Sequence, residues 1–551
     1  MRYPALQADV IGHKAESVAL SVVVLALTLE ACRRSAGVAL TVVFAVFLAW
    51  ALVGHRFPGM LQTKQVSLDR LLPYLALDTS SLLGAPLIIA STTVIAFMFF
   101  GRVLQACGGA DFFTDISSAL FGRFRGGTGK VEVVASALFG TISGSAVANV
   151  MSTGIITIPN MKKAGYSATT AGGVEAVSST GGQIMPPVMG AAAFLMAENL
   201  QMSYAQVALA ALVPALLYYV SVFTQVDLEA EKHRIGGIDP ASLPRPGRVM
   251  RCGWFFLVPF VTLFYLMFAR DMQAEESVLL GVAVMLPFAA LLGYAGRRLS
   301  LRGFFRALAD TGRDAVEILV ICAVAGAVIG VLNITGLSLG LSLTLVKIGQ
   351  GQLLLLLVAV ALMCVILGMG LPTTGVYLLV AVLAAPPLVQ LGVPPLAAHM
   401  FVFFYGCLSM ITPPVAMAAF AAAHIANASP MAVGLAACRL GWPAFVLPFL
   451  FVWSPTLLLR GQPMDIALSV ITAIAGVWIG SAALAGYLFR DLALPQRAWA
   501  ALAAMLMLLP NDAFAGVIWF ELAGILLALG FVVTEMRHKH AGKNVPAQPP
   551  A

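Results

Sequence analysis

The sequence predicts an all-α polytopic membrane protein with two re-entrant helical hairpins and two broken transmembrane helices. The chain is 60% hydrophobic and only 10% charged, whereas a soluble globular domain carries about 25% charged residues. Apolar runs close to the ~20 residues that cross a bilayer recur from end to end and give roughly fourteen to sixteen membrane-embedded segments. In each half of the chain, clusters of Gly, Ser, Thr and Pro interrupt such runs. Interrupted helices persist in hydrocarbon only where the protein buries the freed backbone groups or directs them at a ligand.

The positive charge of the chain indicates membrane topology rather than nucleic-acid binding. The formal net charge is +7, but the basic residues fall in short clusters between apolar segments, as the positive-inside rule describes. The clusters predicted to be cytoplasmic are Arg33 and Arg34, Arg123 to Lys130, Lys162 and Lys163, Lys232 to Arg251, Arg297 to Arg313, and Arg537 to Lys543. The C-terminus is therefore predicted to be cytoplasmic. The seven cysteines lack paired metal-type spacing, so we interpret them as small packing residues.

The N-terminal unit, residues 1–80, is predicted to hold two apolar helices. The first run, Ser17 to Leu29, ends in Glu30 rather than in a small-residue cleavage site, so no cleavable signal peptide is predicted. Ala36 to Val53 then crosses outward, and His55 to Leu77 is predicted to be an external loop. Leu82 to Phe100 returns to the cytoplasmic side.

The first half, residues 81–235, contains the first hairpin and the first broken helix. Val131 to Ile158 has basic residues at both ends, and its two apolar arms of about a dozen residues are too short to span the bilayer alone. We therefore predict a re-entrant hairpin with its tip at 143–145. Ala168 to Met196 is predicted to cross with an unwound centre at Ser179 to Pro187, because Gly-Gly and Pro-Pro remove helix propensity and backbone donors.

Residues 236–335 are predicted to connect the two halves. A hydrophilic basic linker comes first, and the apolar pair Trp254 to Ala269 and Ser277 to Leu292 follows as scaffold helices. The basic stretch after this pair carries apolar residues at helical spacing, among them Leu301, Phe305 and Leu308. This pattern is typical of an amphipathic arm on the cytoplasmic membrane surface.

The second half, residues 336–460, repeats the first. Its hairpin, Leu353 to Leu388, has a tip at 368–374, and its broken helix, Leu396 to Ala423, is centred on Ser409 to Pro414. Pro186 and Pro413 lie 227 positions apart, and in that register six of the eleven residues from Ile184 to Phe194 match. An odd number of crossings between the copies makes them inverted, as in alternating-access transporters of the elevator type. Residues 461–551 supply C-terminal helices and a basic tail.

The interruptions bring together the groups that a cation and an anion need. Hydroxyls and free carbonyls suit an alkali cation, glycine permits close backbone approach, and helix N-termini favour a carboxylate. The candidate cation ligands are Ser143, Gly144, Ser145, Thr180, Gly181, Gly182, Gly370, Thr373, Thr374, Ser409, Met410 and Thr412. The candidate substrate ligands are Ser145, Asn149, Gln183, Pro186, Pro372, Thr373 and Pro413. The alternative is small-residue helix packing with Pro kinks.

Four titratable residues lie near these elements, and one of them, Glu175, has two interpretations. Glu175 lies two turns before the first break, and an intramembrane carboxyl group is a functional hypothesis by default. It is either a carrier of a coupling proton or a structural hydrogen-bonding group. Glu317 is interpreted as interfacial, and so are His399 and His424 at the ends of the second broken helix. No catalytic residue, organic cofactor or metal beyond the alkali cation is predicted.

Four motifs resemble the large membrane subunit of tripartite ATP-independent periplasmic (TRAP) transporters, in particular the fused permeases that work with TAXI-type binding proteins. They are GTISGSAVAN at 140–149, VEAVSSTGGQIMPPVMG at 174–190, GMGLPTT at 368–374 and ITPP at 411–414. The resemblance extends over roughly residues 15 to 535. It implies a monomeric symporter in the bacterial inner membrane that takes an organic acid from a periplasmic binding protein and uses an ion gradient, usually of Na⁺. Fused members place about four small-subunit helices before the large subunit, so that portion is shortened here.

Three other functions remain open from the residues. Transport by the same fold could be coupled to protons, with Glu175 as the carrier. An intramembrane serine protease would use Ser143 or Ser145, but its nucleophile needs a nearby base and no histidine lies near that tip in the sequence. A channel would show no saturation and no dependence on a binding protein.

Overall fold

The computed structural model describes residues 14–58, 62–348, 352–509 and 516–543. Over these ranges the chain is helical, and extended pairing is limited to two isolated bridges, Tyr294 with Arg297 and Tyr487 with Asp491. Ten of the described helices are long and apolar enough to cross a membrane, or eleven if one bent pair is counted as a span. The all-α polytopic prediction is confirmed. The beginning of the N-terminal unit and the end of the basic tail lie outside the described residues.

The described part of the N-terminal unit, residues 14–58 and 62–80, contains three helices rather than the two predicted: α1 (Lys14–Ser35), α2 (Val38–Val53) and α3 (Leu68–Leu77). The prediction that His55 to Leu77 is only a loop was wrong. α3 packs against α1 and buries Leu71 and Leu75 completely. Its ten residues are too short for a spanning pattern, but they carry one apolar face that tertiary packing covers.

The next three helices form the first hairpin and its support: α4 (Ala85–Ala106), α5 (Gly109–Phe121) and α6 (Gly127–Ser143), with α7 (Ala146–Ala164) returning. The turn between α6 and α7 lies at the predicted tip, where Gly144 adopts the left-handed conformation with φ of 63°. The arms have 17 and 19 residues, not about a dozen, because the polar stretches at their open ends are also helical. At 1.5 Å per residue each arm is about 25 to 28 Å long.

The first broken helix comprises α8 (Ala168–Gly181) and α9 (Ala191–Asn199). The backbone from Gly182 to Gly190 is not helical and contains a cis peptide bond between Pro186 and Pro187. α10 (Tyr204–Lys232) then runs back for 29 residues. The interruption overlaps the predicted one, Ser179 to Pro187, but it begins later, because Ser179 to Gly181 still belong to α8.

The connecting region consists of α11 (Pro246–Gly253), α12 (Leu257–Phe264), α13 (Ala274–Leu291) and α14 (Leu301–Thr335). The predicted amphipathic arm is not a separate element, because α14 continues for 35 residues from the basic stretch into an apolar one. Nothing between Leu301 and Thr335 breaks the helix. Leu301 and Phe305 remain exposed, whereas Ala307 and Thr311 on the other face are buried.

The second half repeats this arrangement with α15 (Leu337–Ile348), α16 (Leu353–Leu367), α17 (Thr373–Gln390), α18 (Pro395–Leu408) and α19 (Met417–Ala426). The tip between α16 and α17 includes Gly370, which has φ of 84°. The break between α18 and α19 contains a cis peptide bond between Pro413 and Pro414, as its counterpart does at Pro186 and Pro187. The two copies therefore share the same sequence of interruptions.

The remaining helices are α20 (Pro430–Leu440), α21 (Pro443–Trp453), α22 (Pro463–Ala485), α23 (Leu494–Met507) and α24 (Val517–Lys543). α20 is an addition to the prediction, and it turns from α19 by 117°. It packs against α8, where Gly173 approaches Ala436 and Ala437. The last three helices share a second hydrophobic cluster that includes Ile479, Ala500 and Phe531.

Ion pairs hold the open end of the first hairpin to α10. Arg125 pairs with Asp227 and Glu231, and Lys130 also pairs with Asp227. Hydrogen bonding to Asp227 raises the pKa of the Arg125 guanidinium, so this pairing persists over the whole physiological pH range. The basic cluster therefore has a structural role besides indicating topology.

Candidate functional site

The two interrupted regions meet at the side chain of Gln183. Its Nε2 donates a hydrogen bond to the Gly144 carbonyl oxygen at the first hairpin tip, over 3.3 Å. Its Oε1 accepts one from Thr373 Oγ1, at the start of α17 beyond the second tip, over 3.0 Å. Gln183 and Thr373 are 6% and 4% exposed, so each relies on the other for a buried polar partner. One amide thus joins the first tip, the first break and the second hairpin.

Backbone packing between the first tip and the first break depends on glycine. A Cβ on Gly140 would lie 2.5 Å from the Cα of Gly182, and one on Gly182 would lie 2.4 Å from the Cα of Gly140. Both distances are too short for any other residue type without movement of the backbone. At the tip itself, a Cβ on Gly144 would lie 3.0 Å from the Met189 carbonyl oxygen. Close approach of the first tip to the first break therefore requires glycine at these positions, whereas a Cβ on Gly370 at the second tip would have only Ala39 Cβ within 4 Å, at 3.9 Å.

The second tip and the second break pack in the same way. A Cβ on Gly368 would lie 2.3 Å from the Cβ of Ser409. The Ser409 hydroxyl donates to the Gly406 carbonyl oxygen, 2.7 Å away. The Met410 carbonyl oxygen accepts the Ala418 N–H over 3.0 Å. The second break is therefore closed by contacts among its own residues and by Cys438 of α20, whose Sγ donates to the Ile411 carbonyl oxygen over 3.4 Å. The first break is also held by a side chain from the other half, Thr373.

The candidate hydroxyl ligands differ in how they are satisfied. Thr180 and Thr412 donate to carbonyl oxygens of the preceding helical turn, which leaves their oxygen lone pairs free. Ser145 accepts the Ala148 N–H over 3.3 Å and so caps α7. Ser143 Oγ is buried and has no hydrogen-bond partner among the described residues. This oxygen keeps both its donor and its acceptor capacity.

Four helices begin at the interruptions: α7, α9, α17 and α19. The N-terminus of each carries free N–H groups and a partial positive charge. Two of these termini lie around Gln183, since Thr373 opens α17 and Gly190, the residue before α9, donates its N–H to the Gln183 carbonyl oxygen over 2.8 Å. This arrangement can accommodate a carboxylate.

Asn149 lies on α7 and faces its partner arm rather than an open space. It is fully buried, and its Nδ2 lies 3.3 Å from the Ser136 carbonyl oxygen on α6. In this structure Asn149 therefore fastens the two arms of the first hairpin to each other. Pro186, Pro372 and Pro413 lie at the breaks and tips as the sequence predicted, and Pro413 contacts Gly434 of α20.

Glu175 is completely buried on α8 and contacts both hairpin arms. Thr153 Oγ1 donates to its Oε1 over 2.7 Å, and Thr157 donates to its Oε2. Its carboxyl group also lies within hydrogen-bonding range of the carboxyl group of Glu132 on α6. Sequence analysis missed Glu132, although a carboxyl residue within an otherwise apolar arm was a signal that could have identified it.

Two predicted interfacial or topological residues make specific contacts. His399 is not a lone helix-end histidine, because its Nδ1 lies 2.8 Å from the Tyr377 hydroxyl of α17. Lys162 Nζ donates to the carbonyl oxygen of Ala426, the last residue of α19, over 2.7 Å. The first hairpin is thereby attached to the second broken helix. His424 and Glu317 are both exposed.

A cavity of ≈ 390 Å³ lies to one side of these elements. It is bounded by α4, α9, the start of α10 and the segment before α13, and its lining includes Thr93, Phe194, Glu198 and Glu275. Thr93 Oγ1 donates to Glu275 Oε2 over 3.0 Å. The cavity is large enough for a small organic molecule, but Gln183 and the tip residues do not line it.

Comparison with known proteins assigns this architecture to a family. The family model described as "Tripartite ATP-independent periplasmic transporter, DctM component" matches residues 23–464. The chain is 24% identical over 363 residues to the C4-dicarboxylate TRAP transporter large permease protein DctM of Pseudomonas aeruginosa, which covers 65% of this chain and 83% of that protein. It is 26% identical to the sialic acid TRAP transporter large permease protein SiaM of Vibrio cholerae, over 40% of this chain and 52% of SiaM.

A third relative is the uncharacterized protein YgiK of Salmonella typhimurium, 31% identical over 26% of this chain and 33% of YgiK. The aligned part thus spans between one third and five sixths of these relatives. The match to the family model ends at residue 464, at the start of α22. The three-helix cluster of α22, α23 and α24 follows that match.

Proposed function

Because the chain belongs to the family of the DctM component, the large permease of TRAP transporters, we propose that it is a secondary active symporter for a small organic acid anion. A periplasmic binding protein delivers the anion, and an ion gradient drives its uptake across the bacterial inner membrane. The two hairpins and two broken helices move together against the remaining helices in an elevator-type alternation. The observation that carries this proposal is the contact of Gln183 with Gly144 and Thr373.

This contact supports transport because it joins elements from both inverted halves at their interruptions. A substrate bound beside Gln183 would be reached by backbone N–H groups at the start of α9 and α17, which suit a carboxylate. The names of two relatives specify C4-dicarboxylate and sialic acid, which are both acids. A small organic acid is therefore the proposed substrate class.

The proposed driving ion is Na⁺, bound at the hairpin tips. Sodium requires oxygen ligands, and the buried Ser143 Oγ is an oxygen without a partner. Backbone carbonyl oxygens and the hydroxyls of Thr180 and Thr412 complete the set of candidates. Proton coupling through Glu175 is the second candidate, and the contact between Glu175 and Glu132 favours it.

The proposed partner is a TAXI-type binding protein, and the proposed assembly is a monomeric fused permease with a cytoplasmic C-terminus. α1 and α2 occupy the place of a shortened small subunit in this proposal. α1 and α2 both pack against α14, within the large-subunit core. Such packing suits a scaffold that stays fixed while the hairpins move.

Uptake into proteoliposomes tests the proposal. The purified permease is reconstituted, a candidate TAXI-type binding protein loaded with radiolabelled acid is added outside, and an inward Na⁺ gradient is imposed. We expect saturable uptake above the equilibrium level that requires both the gradient and the binding protein. Uptake that is insensitive to every imposed gradient, or that never saturates, would refute a symporter and indicate a channel.

The Gln183→Ala variant connects this test to the site. We expect it to lose most uptake, because it removes the amide that joins the first tip, the first break and the second hairpin. Size-exclusion chromatography and thermal unfolding check that the variant is folded. Gln496→Ala is the matched control, since Gln496 caps α23 far from the interruptions. Full uptake by the Gln183→Ala variant would show that the contact of Gln183 with Gly144 and Thr373 is not needed for transport, and would contradict the proposal.

A further inference from the structure

Two carboxyl groups are buried together between the first hairpin and the first broken helix. Glu132 on α6 and Glu175 on α8 both have 0% exposure. Their carboxyl groups lie within hydrogen-bonding range of each other. Like charges at such a distance in a water-free site cannot both be ionised, so the pair must share at least one proton. The pair belongs to the moving unit of the proposed function.

No basic side chain of the described residues neutralises this pair. The helices packed against α6 and α8 carry ionisable groups that include Arg102 on α4, Asp115 on α5, Lys130 on α6, Lys162 and Lys163 on α7, Tyr219 and Asp227 on α10, His424 on α19 and Arg439 on α20. Arg102 pairs with Asp314, and Asp115 accepts a hydrogen bond from Tyr294. Lys130 pairs with Asp227, Arg439 pairs with Glu229, and Lys162 bonds the Ala426 carbonyl oxygen. The Tyr219 hydroxyl donates a hydrogen bond to the Ser178 carbonyl oxygen, and His424 is exposed. Protons are therefore the available neutralising charge.

Hydroxyl groups surround the pair and orient it. Thr153, Thr157 and Ser179 donate to Glu175, and Ser136 donates to Glu132. These donors stabilise an ionised carboxylate by hydrogen bonding. One oxygen remains without a donor, because Glu132 Oε2 is buried and has no partner among the described residues. A further proton on the pair would supply the missing hydrogen bond.

Thr153 lies between the pair and Asn149, which is nearer to the first tip. Its Oγ1 lies 2.7 Å from Glu175 Oε1 and 3.3 Å from Asn149 Oδ1, and its single hydroxyl proton can be donated to only one of these two acceptors. Asn149 in turn lies beside the contact of Gly140 with Gly182, since a Cβ on Gly140 would be 3.2 Å from Asn149 Nδ2. A change in charge at the pair can therefore alter the packing of the tip against the break.

We propose that Glu132 and Glu175 form a proton-binding coupling site that is separate from the cation site at the tips. The pair keeps one shared proton throughout and gains and loses a second one. With the second proton the pair is neutral and moves with the first hairpin across the apolar scaffold. Without it the pair carries one negative charge, and moving this charge together with the bound anion through a low-dielectric region is unfavourable. The unit that has released both the anion and the second proton returns with the single charge of the pair. One proton thus accompanies each loaded movement and is released on the cytoplasmic side. This proposal depends on the proposed transport function.

Gradient-driven uptake separates this proposal from the sodium proposal. Proteoliposomes receive either a pH gradient, acidic outside, or an inward Na⁺ gradient, with the membrane potential clamped. We expect the wild type to respond to both. In the Glu132→Gln and Glu175→Gln variants, the uptake rate driven by the pH gradient should fall at least tenfold. Both variants should still exchange labelled for unlabelled substrate. Glu276→Gln, on an exposed side chain of α13, is the matched control and should behave as wild type.

The outcomes of the two gradients are independent. A wild type that ignores pH gradients but responds to Na⁺ would overturn the carboxyl-pair proposal and leave the transport proposal intact. Retention of the pH response by both Gln variants would also overturn it. If the wild type takes up no substrate under either gradient, the transport function itself is refuted.

Infrared difference spectroscopy of the wild type provides a readout that a purely structural pair would not move. We expect a carboxylic acid carbonyl band that grows as the pH falls and is missing from both Gln variants. A band that does not change between pH 5 and 9 would show a permanently protonated structural pair and overturn the proposal. If the Gln variants do not fold, Thr153→Val serves instead. Loss of its hydroxyl should shift the midpoint of the band to higher pH, and an unchanged midpoint would contradict the proposal.

Discussion

Thr373 donates a hydrogen bond to Gln183 over 3.0 Å, although 190 positions separate the two residues in the chain. Gln183 lies in the break of the first broken helix, and Thr373 opens the second arm of the second hairpin. Both are almost completely buried. The contact therefore joins the two halves at the point where each leaves helical geometry, and disturbing it should affect transport more than stability.

Gln183→Ala and Thr373→Val should each weaken the apparent substrate affinity by about tenfold. Each leaves a buried polar partner unsatisfied, which costs about 1 to 3 kcal/mol. Because the two side chains contact each other, the double variant should be only slightly worse than either single variant. The measurement is the KM for uptake in a double-mutant cycle. Thr472→Val, whose exposed hydroxyl bonds its own helix, should leave the KM unchanged, and additive effects at 183 and 373 would contradict a direct coupling.

Gly140→Ala and Gly182→Ala should destabilise the protein by about 1 to 3 kcal/mol, as overpacking typically does. The new Cβ would lie 2.5 Å or less from the backbone of the facing glycine. The measurement is thermal unfolding in detergent, followed by size-exclusion chromatography. Gly312→Ala is the control, because nothing lies within 4 Å of the added Cβ on α14. Equal melting of the 140, 182 and 312 variants would show that the hairpin does not pack tightly on the break.

Ser143→Ala should raise the Na⁺ concentration for half-maximal uptake by about tenfold, with little change in melting temperature. Its hydroxyl has no protein partner to lose, so only a bound cation or water would register the change. Ser117→Ala is the control, since that buried hydroxyl donates to the Phe113 carbonyl oxygen over 2.6 Å. The Ser117→Ala variant should have a lower melting temperature and an unchanged sodium dependence of uptake. An unchanged sodium dependence in the Ser143→Ala variant would exclude this oxygen as a ligand.

Lys162→Met should loosen the first hairpin from the second broken helix and lower stability by about 0.5 to 1 kcal/mol. The ammonium group of Lys162 bonds the last carbonyl group of α19, where a cation is favourable. Lys163→Met removes the neighbouring exposed charge, for which no such bond is found. The two variants therefore carry the same loss of charge, and only the first should melt earlier. If both variants have the same melting temperature, the hydrogen bond of Lys162 contributes no more to stability than the charge of Lys163 does.

Composition and apolar periodicity were sufficient to predict the fold class and the positions of the interruptions. The helices end at Ser143, Gly181, Leu367 and Leu408, where Gly and Pro-Pro motifs appear in the sequence. This prediction works because glycine and proline act locally, through backbone freedom and loss of a donor. Short helices such as α3 and α20 escaped prediction, because their stability comes from the surfaces on which they pack rather than from their own pattern.

The sequence by itself determined that the chain is a helical membrane protein whose two halves carry matching breaks, since hydropathy and helix-breaking residues express their effects within a few turns. Only the tertiary structure decided which polar groups meet. The bonds from Gln183 to Thr373 and from Lys162 to Ala426, and the contact of Glu132 with Glu175, join residues 43 to 264 positions apart. Such partners are selected by burial, because a polar group in an apolar interior must find a complement wherever the fold provides one.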